Sequence, residues 1–338
     1  MRQIENISLK NYNTFGIDIN ADHFIVIEDD KDLLDLDPSI FSNRWMVLGG
    51  GSNVVFNGDF HGTVVWINNK GKKVVEETED DVVIEVSAGE VWHDFVMWSI
   101  DEGYNGLENL SLIPGNIGAS PMQNIGAYGV EIKDCFEYLE AFSVETGTFK
   151  KFSHSDCAFG YRESVFKNKL KGKYIITKVT YRLKKKSALK LSYGAIQHVL
   201  EEKGIHHPNA KDVSNAVISI RRSKLPDPKD LGNAGSFFKN PVISKNDFQK
   251  VQRKFPNIVY YELEDGNIKL AAGWLIENAG WKGKKNGACG VHANQALILV
   301  NYGSAKGEEI IELSQFIQED VWNKYGIKLH CEVNFVTE

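Results

Sequence analysis

The stretch WMVLGGGSNVVF (residues 45–56) places three consecutive glycines between two apolar runs. The run before them reads as a β-strand, and Val54-Val55-Phe56 is extended as well, so the glycines join strand to strand. The dinucleotide fingerprint G-x-G-x-x-G needs a turn that opens a helix, and position 54 is valine where the third glycine belongs. A P-loop needs GK[ST] behind its glycines, and none follows. The Rossmann and P-loop readings therefore fail. What remains is either a plain glycine turn or a nest of backbone N–H groups suited to an anion.

A second stretch shifts that balance. In PGNIGASPMQNIGAYG (114–129), Pro114, Gly115, Gly118, Gly126 and Gly129 alternate with Asn116, Ser120, Gln123, Asn124 and Tyr128. Little here builds a core. Small residues let backbone approach a ligand, and amides read the edge of a flat heterocycle. A long irregular run inside a compact domain is functional or disordered. Ile113, Ile117, Met122 and Ile125 argue against disorder. Together the two segments point to a phosphate-bearing ligand.

Outward from these loops, GTVVWIN (62–68) and DVVIEVSAG (81–89) read as strands, and 91–102 as a helix stopped by Gly103. Residues 138–152 read as a hairpin turning at Glu145-Thr146-Gly147. KYIITKVTYRLKK (173–185) is a further strand, with Ile175, Thr177, Val179 and Tyr181 expected on one face. Residues 193–224 are helical, with a break at 203–210, and KLPDPKDLGNAG (224–235) is a connector. Ser244 is the expected N-cap of the next helix. AAGWLIENAGW reads as a short helix and QALILVN (295–301) as a buried strand. Residues 307–327 form an amphipathic helix with Ile310, Leu313, Phe316, Ile317 and Val321 on its apolar face, and LHCEVNFV (329–336) closes as a strand. The class is α+β, with a β-rich front and an α/β back.

Composition narrows the function. The 338 residues suit two or three domains and can bury a full core without staples. A net charge of −6 disfavours a nucleic-acid binder. No window reaches the length of a membrane span, and MRQIENISLKNYNTF lacks the apolar region of a secretory signal. Cys135, Cys157, Cys289 and Cys331 are scattered, without a C-x-x-C pair, which suits reduced thiols in the cytoplasm. Nine histidines form no H-E-x-x-H or H-x-x-x-H pair, so no metal site is expected.

Taken singly, the polar candidates have bland readings. Ser236 in GSFFKNP lacks a nucleophile-elbow context and reads as a structural hydroxyl. Arg162 in FGYRES reads as a guanidinium stacked on Tyr161. Glu332 reads as the polar face of a half-buried strand, and Arg221, Arg222 and Lys224 as a solvated helix end, although they could also grip a diphosphate.

Taken together, the segments carry a family signature: NTFGI (13–17), VLGGGSN (47–53), IPGNIGASPMQNIGAYGVEI (113–132), FGYRESVFK (159–167), RRSKLPDP (221–228), GNAGSFFKNP (232–241), KLAAGWLIENAGWKG (269–283), GVHANQALILVN (290–301) and LHCEVNF (329–335). In order and spacing the chain resembles the UDP-N-acetylenolpyruvoylglucosamine reductases, or UDP-N-acetylmuramate dehydrogenases, of bacterial cell-wall synthesis. It is similar to their longer form, which carries a substrate-binding tyrosine segment. The resemblance implies a vanillyl-alcohol-oxidase (PCMH)-type FAD-binding domain of two subdomains, expected at 1–70 and 71–222. A C-terminal α/β substrate-binding domain is expected at 223–338, its last strand packing back toward the active site. It implies non-covalent FAD held by Gly49, Gly50, Gly51, Ser52, Asn53, Pro114, Gly115, Gly118, Ala119, Ser120, Gln123, Asn124, Gly126 and Ala127.

The implied reaction uses NADPH to reduce the flavin. UDP-N-acetylglucosamine enolpyruvate then takes hydride from flavin N5 at its vinyl carbon and a proton from Ser236. Arg162 and Glu332 match the other catalytic positions. Tyr193, Lys224 and Asn240 match residues on the UDP diphosphate, and Tyr128, Arg221 and Gln295 are further substrate candidates. A cytoplasmic monomer is expected, serving peptidoglycan synthesis and so cell shape and division, with no nucleic-acid or membrane partner and no metal. Around Glu332 the chain departs from the family: His330, Cys331 and Asn334 stand where many relatives have proline before the glutamate and arginine after it. Cys331 reads as a small buried filler. A sugar or hydroxy-acid oxidase of the same fold is the rival reading. It does not call for Ser236, Lys224 and Asn240 together, and often attaches its flavin through His or Cys. A sensor that kept the fold would have lost one of Ser236, Arg162 and Glu332.

Overall fold

The computed structural model describes residues 1–186 and 188–337. These form two compact units. One comprises Met1–Ile7, Ala21–Gly50 and His61–Arg222; the other comprises Ser8–Asn20, Gly51–Phe60 and the chain from Ser223 onward. Two pieces of the first 70 residues therefore belong with the C-terminal part, and each has a physical reason. Val54–Phe56 pairs in parallel with Asn334–Val336, whose strand lies at the far end of the sequence. The loop around residues 8–20 is closed by Asn13, whose amide donates to Leu9 O and Ile17 O and accepts from Ile17 N. It is held by Asn301, which donates to Phe15 O at 2.8 Å.

The first unit contains a four-stranded sheet in the order Arg2–Ser8, Asn20–Ile27, Phe60–Ile67, Trp45–Leu48. It also holds a five-stranded antiparallel sheet in the order Thr148–Ser153, Phe136–Ser143, Tyr174–Lys184, Asp81–Ser87, Lys72–Glu77. The strand Tyr174–Lys184 is central, and its apolar residues are buried on both faces. On one face Val179 and Tyr181 pack with Ile84, Leu139 and, from the helix Trp92–Asp101, Trp92 and Phe95. On the other Ile175 packs with Phe142, Ile25, Ile27 and Val65.

Ile175 thus lies opposite the face expected from strict alternation. The register explains it. Glu140 pairs with Lys178 while Ala141 pairs with Ile176, which leaves Thr177 as the extra residue of a bulge. A bulge of one residue reverses which side chains face which way. On the other edge the pairing with Asp81–Ser87 runs on regularly, and the Thr177 carbonyl accepts Ala88 N at 2.8 Å and the Asn69 amide at 2.9 Å.

The second unit contains an antiparallel sheet in the order Gly232–Ser236, Ile298–Asn301, Cys289–Val291, Lys285–Asn286. The long helix Gly307–Tyr325 packs on Cys289–Val291 and on Val54–Phe56. Ile310, Leu313, Ile317 and Val321 are fully buried on it, whereas Phe316 is 40% exposed and lies outside the expected apolar face. An i, i+3, i+7, i+11 stripe holds the four aliphatic residues on one line; Phe316 falls one position off it. Ser244 caps Lys245–Lys254 by accepting from Asp247 N at 3.1 Å, as its position in the sequence predicts. Among the described residues no helix is long and apolar enough to cross a membrane, and all four cysteines are free thiols.

The long helix begins with its backbone against the strand Val54–Phe56. A Cβ on Gly307 would lie 1.7 Å from Phe56 O. Gly307→Ala is therefore expected to lower stability by about 2–4 kcal/mol, the range for overpacking and broken backbone contacts. A thermal melt checks this, and an unchanged midpoint would contradict the packing described.

Candidate active site

The two glycine segments meet within the first unit. A Cβ on Gly50 would lie 2.9 Å from Asn116 Oδ1 and 3.0 Å from Gly115 Cα. Backbone therefore touches backbone where any side chain would separate the loops. The surroundings fix both partners. Trp66 Nε1 donates to Gly49 O at 3.2 Å. Trp92 N donates to Gly115 O, Ile117 N to Glu90 O and Gly118 N to Ala88 O. The Asn116 amide donates to Gly89 O at 3.2 Å. Residues 115–118 thus extend the edge formed by residues 88–92, which the Thr177 bulge holds.

A cavity of about 360 Å³ opens beside this contact. Trp45, Met46, Val47, Ile67, Ile175 and Ile176 give it apolar walls, while Gly49, Asn116, Gly118 and Ala119 give it backbone and an amide. Such a wall takes a flat heterocycle, and glycine N–H groups take phosphate, so the site fits FAD. On the other side of the Gly50–Gly51 bond, in the second unit, Gly51 has φ +60° and packs on Tyr12 O, so this position too requires glycine.

Two residues expected on the cofactor have their side chains bonded within the protein. Ser120 is buried, with its hydroxyl bonded to Ile117 O at 2.8 Å and Tyr181 Oη at 2.7 Å. Asn124 is buried, donates to Glu131 Oε2 and Gly160 O at 3.0 Å each, and accepts from Lys133 N. Both hold the shape of the second glycine loop, which composition cannot distinguish from ligand contact.

That loop is strained around Arg162. Leu112, Asn124, Tyr128 and Arg162 all have positive φ, at 59°, 44°, 50° and 55°. Each costs about 1–2 kcal/mol for a residue with a Cβ and persists only where its surroundings hold it, which is common at functional sites. Arg162 Nη2 donates to Gly126 O at 2.5 Å, Nη1 lies 3.9 Å from Glu131 Oε1, and the guanidinium packs 5.3 Å from the Tyr161 ring. Its side chain keeps 20% exposure. The aromatic stacking read from sequence is present, and the backbone docking adds to it. Glu131, which sequence reasoning missed, also pairs with Lys133 at 2.9 Å.

Tyr128, Tyr193 and Arg221 form a second cluster in the same unit. The two tyrosine rings meet edge to face at 5.1 Å. Arg221 reaches Tyr128 with a hydrogen bond and donates Nε–H to Leu112 O at 3.2 Å; its burial pushes its pKa below the ordinary value. Buried Asn109 joins the two segments by donating to Tyr128 O at 3.0 Å and Lys190 O at 2.9 Å. Tyr193 itself is 43% exposed at the start of Gly194–Glu202.

In the second unit Ser236 ends a strand at the exposed side while Phe237 and Phe238 are buried. Antiparallel pairing continues past it: Glu332 N donates to Phe237 O and Lys239 N to His330 O, both at 2.8 Å, with Phe238 opposite Cys331. This sets Glu332 opposite Phe237, with Ser236 one residue further along its strand. Asn53 donates to Glu332 O at 3.2 Å, and its own carbonyl accepts from Asn334 N and the Asn334 amide at 3.1 Å each. The unusual Asn334 therefore fixes the GGGSN turn to the Glu332 strand. Cys331 is half-buried beside Ser314, and burial pushes its thiol up to about 11, which makes it unreactive filler.

Asn240 accepts Ala272 N at 2.9 Å, and Gln295 Oε1 would lie 3.2 Å from a Cβ on Gly273, so both converge on the first turn of Ala272–Asn278. Lys224 is exposed at the end of Ala210–Lys224. Among the described residues no cluster of His, Cys, Asp and Glu could hold a metal.

Comparison with known proteins agrees with this arrangement. The profile of an FAD binding domain matches residues 41–153, and that of the UDP-N-acetylenolpyruvoylglucosamine reductase C-terminal domain matches residues 227–336. The chain is thus an FAD-binding oxidoreductase of the PCMH-type fold, not a Rossmann protein. It is 51% identical over 332 residues to a UDP-N-acetylenolpyruvoylglucosamine reductase of Flavobacterium johnsoniae, with 98% of each chain covered. It is 46% identical to one of Pseudomonas putida over the same share. A solved Thermus caldophilus reductase of that name superposes with a TM-score of 0.69 over 99% of this chain and 98% of its own, at 23% identity, and shares the fold. The chain belongs to the UDP-N-acetylenolpyruvoylglucosamine reductase family.

Gly126 tests the docking of Arg162. A Cβ there would meet Glu131 Cγ and Val130 O at 2.8 Å and Arg162 Nη1 at 3.0 Å. Gly126→Ala is expected to displace the guanidinium and lower kcat by about 10²-fold, as a misplaced site group does, with FAD retained in the purified protein. Wild-type kcat in the variant would contradict this role.

Proposed function

We propose that the chain reduces UDP-N-acetylglucosamine enolpyruvate to UDP-N-acetylmuramate at the expense of NADPH, in the cytoplasm, as a step of peptidoglycan synthesis. The observation that carries this reading is the likeness of the chain, about half identical over its full length, to reductases of that name, with Ser236 solvent-facing next to the Phe237 that pairs with Glu332. FAD, when bound, supplies the hydride that the vinyl carbon receives. Gly49, Asn116, Gly118 and Ala119, which line the cavity of the first unit, hold the cofactor there, and the Gly50–Gly115 contact beside it keeps the two loops together.

The chain's own residues manage charge and protons. Hydride addition at the vinyl carbon leaves an electron pair on the carbon next to the carboxylate. Ser236 gives its hydroxyl proton to that carbon, which completes the CH–CH bond. A hydroxyl is a weak acid, so this step depends on stabilising the charge that develops. Arg162 supplies a fixed planar cation for the substrate carboxylate, held by its bond to Gly126 O. Glu332 supplies a carboxyl group to return a proton to the serine. Lys224, Asn240, Tyr193, Tyr128, Arg221 and Gln295 bind the sugar nucleotide. Tyr128 keeps its proton, because burial raises its phenol above the ordinary value.

The half-reactions separate these roles. Purified protein is expected to be yellow, to bleach with NADPH without oxygen, and to recover its colour with the enolpyruvyl sugar nucleotide. In Ser236→Ala, bleaching is expected to persist while recovery slows by about 10²–10⁴-fold, the loss of a general acid. Stopped-flow absorbance reads both steps. Equal slowing of both would make Ser236 structural, and bleaching without recovery in the wild type would sink the substrate assignment.

A further inference from the structure

The helix Trp92–Asp101 begins beside the strained entrance to the second glycine loop. Trp92 Nε1 donates to Leu110 O at 2.9 Å. One residue on, His93 Nδ1 accepts Leu112 N–H at 3.0 Å. Leu112 has φ +59°, and its carbonyl accepts Arg221 Nε–H at 3.2 Å. Both polar groups of one left-handed leucine are thus fixed by side chains, one from each of two helices. The neighbouring Ser111 hydroxyl bonds to the Ser214 hydroxyl at 2.8 Å on the Arg221 helix.

A leucine in this conformation is held by what its backbone bonds to. Without an acceptor its N–H is left partly buried and unpaired, at a cost that a relaxed φ removes. Relaxation at Leu112 moves the carbonyl that receives Arg221, and Arg221 bonds to Tyr128. We propose that His93 is a positioning residue of the reductase: through the Leu112 backbone it sets the place of Arg221 and Tyr128 for the sugar nucleotide. This rests on the reading above that these two residues bind substrate.

The role requires a neutral imidazole with its proton on Nε2, because a protonated Nδ1 would face the Leu112 N–H donor-to-donor. The surroundings favour that form. Burial lowers the His93 pKa first, the Arg221 and Arg222 charges on the neighbouring helix lower it further, and Asp94 on its own helix opposes them. With the folded value below the ordinary 6.5, the clamp is intact above about pH 6.5 and is lost as pH falls through the folded value.

The test uses the FAD-loaded full chain as wild type, His93→Leu and His93→Asn. Asparagine keeps an acceptor near the Nδ1 position but does not titrate; leucine keeps neither. In His93→Leu the KM for the enolpyruvyl sugar nucleotide is expected to rise about tenfold with kcat within about threefold, the pattern of lost binding. His93→Asn is expected to restore KM and to abolish its rise below pH 6.5. Hydrogen exchange at the Leu112 amide reads the clamp without turnover: protection is expected in wild type and His93→Asn and is lost in His93→Leu. Unchanged KM or unchanged Leu112 protection in His93→Leu overturns the proposal. So does a His93→Asn variant as defective as the leucine variant, an outcome that stays decisive if His93→Leu fails to fold. Absence of turnover in the wild type would instead overturn the substrate reading, and the exchange measurement would still decide the clamp.

Discussion

The site of the first unit depends on a contact that contains no side chain on one of its partners. Gly50 packs against Gly115 and Asn116 closely enough that a methyl group would be 2.9–3.0 Å from them. Everything around it serves to bring these two backbones together. The strand Trp45–Leu48 delivers the first glycines, pairing in parallel with Phe60–Ile67. Residues 88–92 deliver the second loop through bonds to Gly115, Ile117 and Gly118. The carbonyl of Thr177, the bulge residue, anchors Ala88.

The glycine loops of the first unit and the Ser236 region of the second are built by different means. The first unit uses glycines and strained backbone, where Leu112, Asn124, Tyr128 and Arg162 hold conformations that their neighbours enforce. The second unit uses strand pairing between residues 237–239 and 330–332, which sets Glu332 opposite Phe237, next to Ser236 in sequence. Asn53 and Asn334 then tie the last strand to the turn that follows the glycines. His330, Cys331 and Asn334 are accommodated because the pairing is made by main-chain groups, and only Asn334 contributes its side chain.

Much of this was legible in the residues. Hydrophobic periodicity located the hairpin at 138–152, the helices after residue 193 and the Ser244 cap, and the strand–glycine–strand reading of residues 45–56 excluded the Rossmann fold before any geometry. The family signature supplied the candidates for chemistry. What escaped were features with no local signature. A bulge at Thr177 reverses the facing of Ile175, yet the strand remains an unbroken β-branched run in sequence. Ser120 and Asn124 look like ligand amides and hydroxyls by composition, but their partners, Tyr181, Glu131 and Gly160, are fixed by tertiary contact. Asn109 and His93 act on backbone far along the chain, and Glu131 on the Arg162 side chain, which spacing cannot reveal. The membership of residues 51–60 in the second unit follows from pairing with the last strand, a contact spanning some 280 residues, and that of residues 8–20 from the bond of Asn301 to Phe15 O.

The measurement that bears most directly on the backbone contact is the FAD content of Gly50→Ala, read from flavin absorbance against protein after purification and then by titration with FAD. The contact predicts at least a tenfold weaker affinity, roughly 1.4 kcal/mol or more, in a protein whose melting temperature without cofactor matches that of the wild-type apoprotein. A variant purified with stoichiometric FAD and wild-type affinity would contradict it.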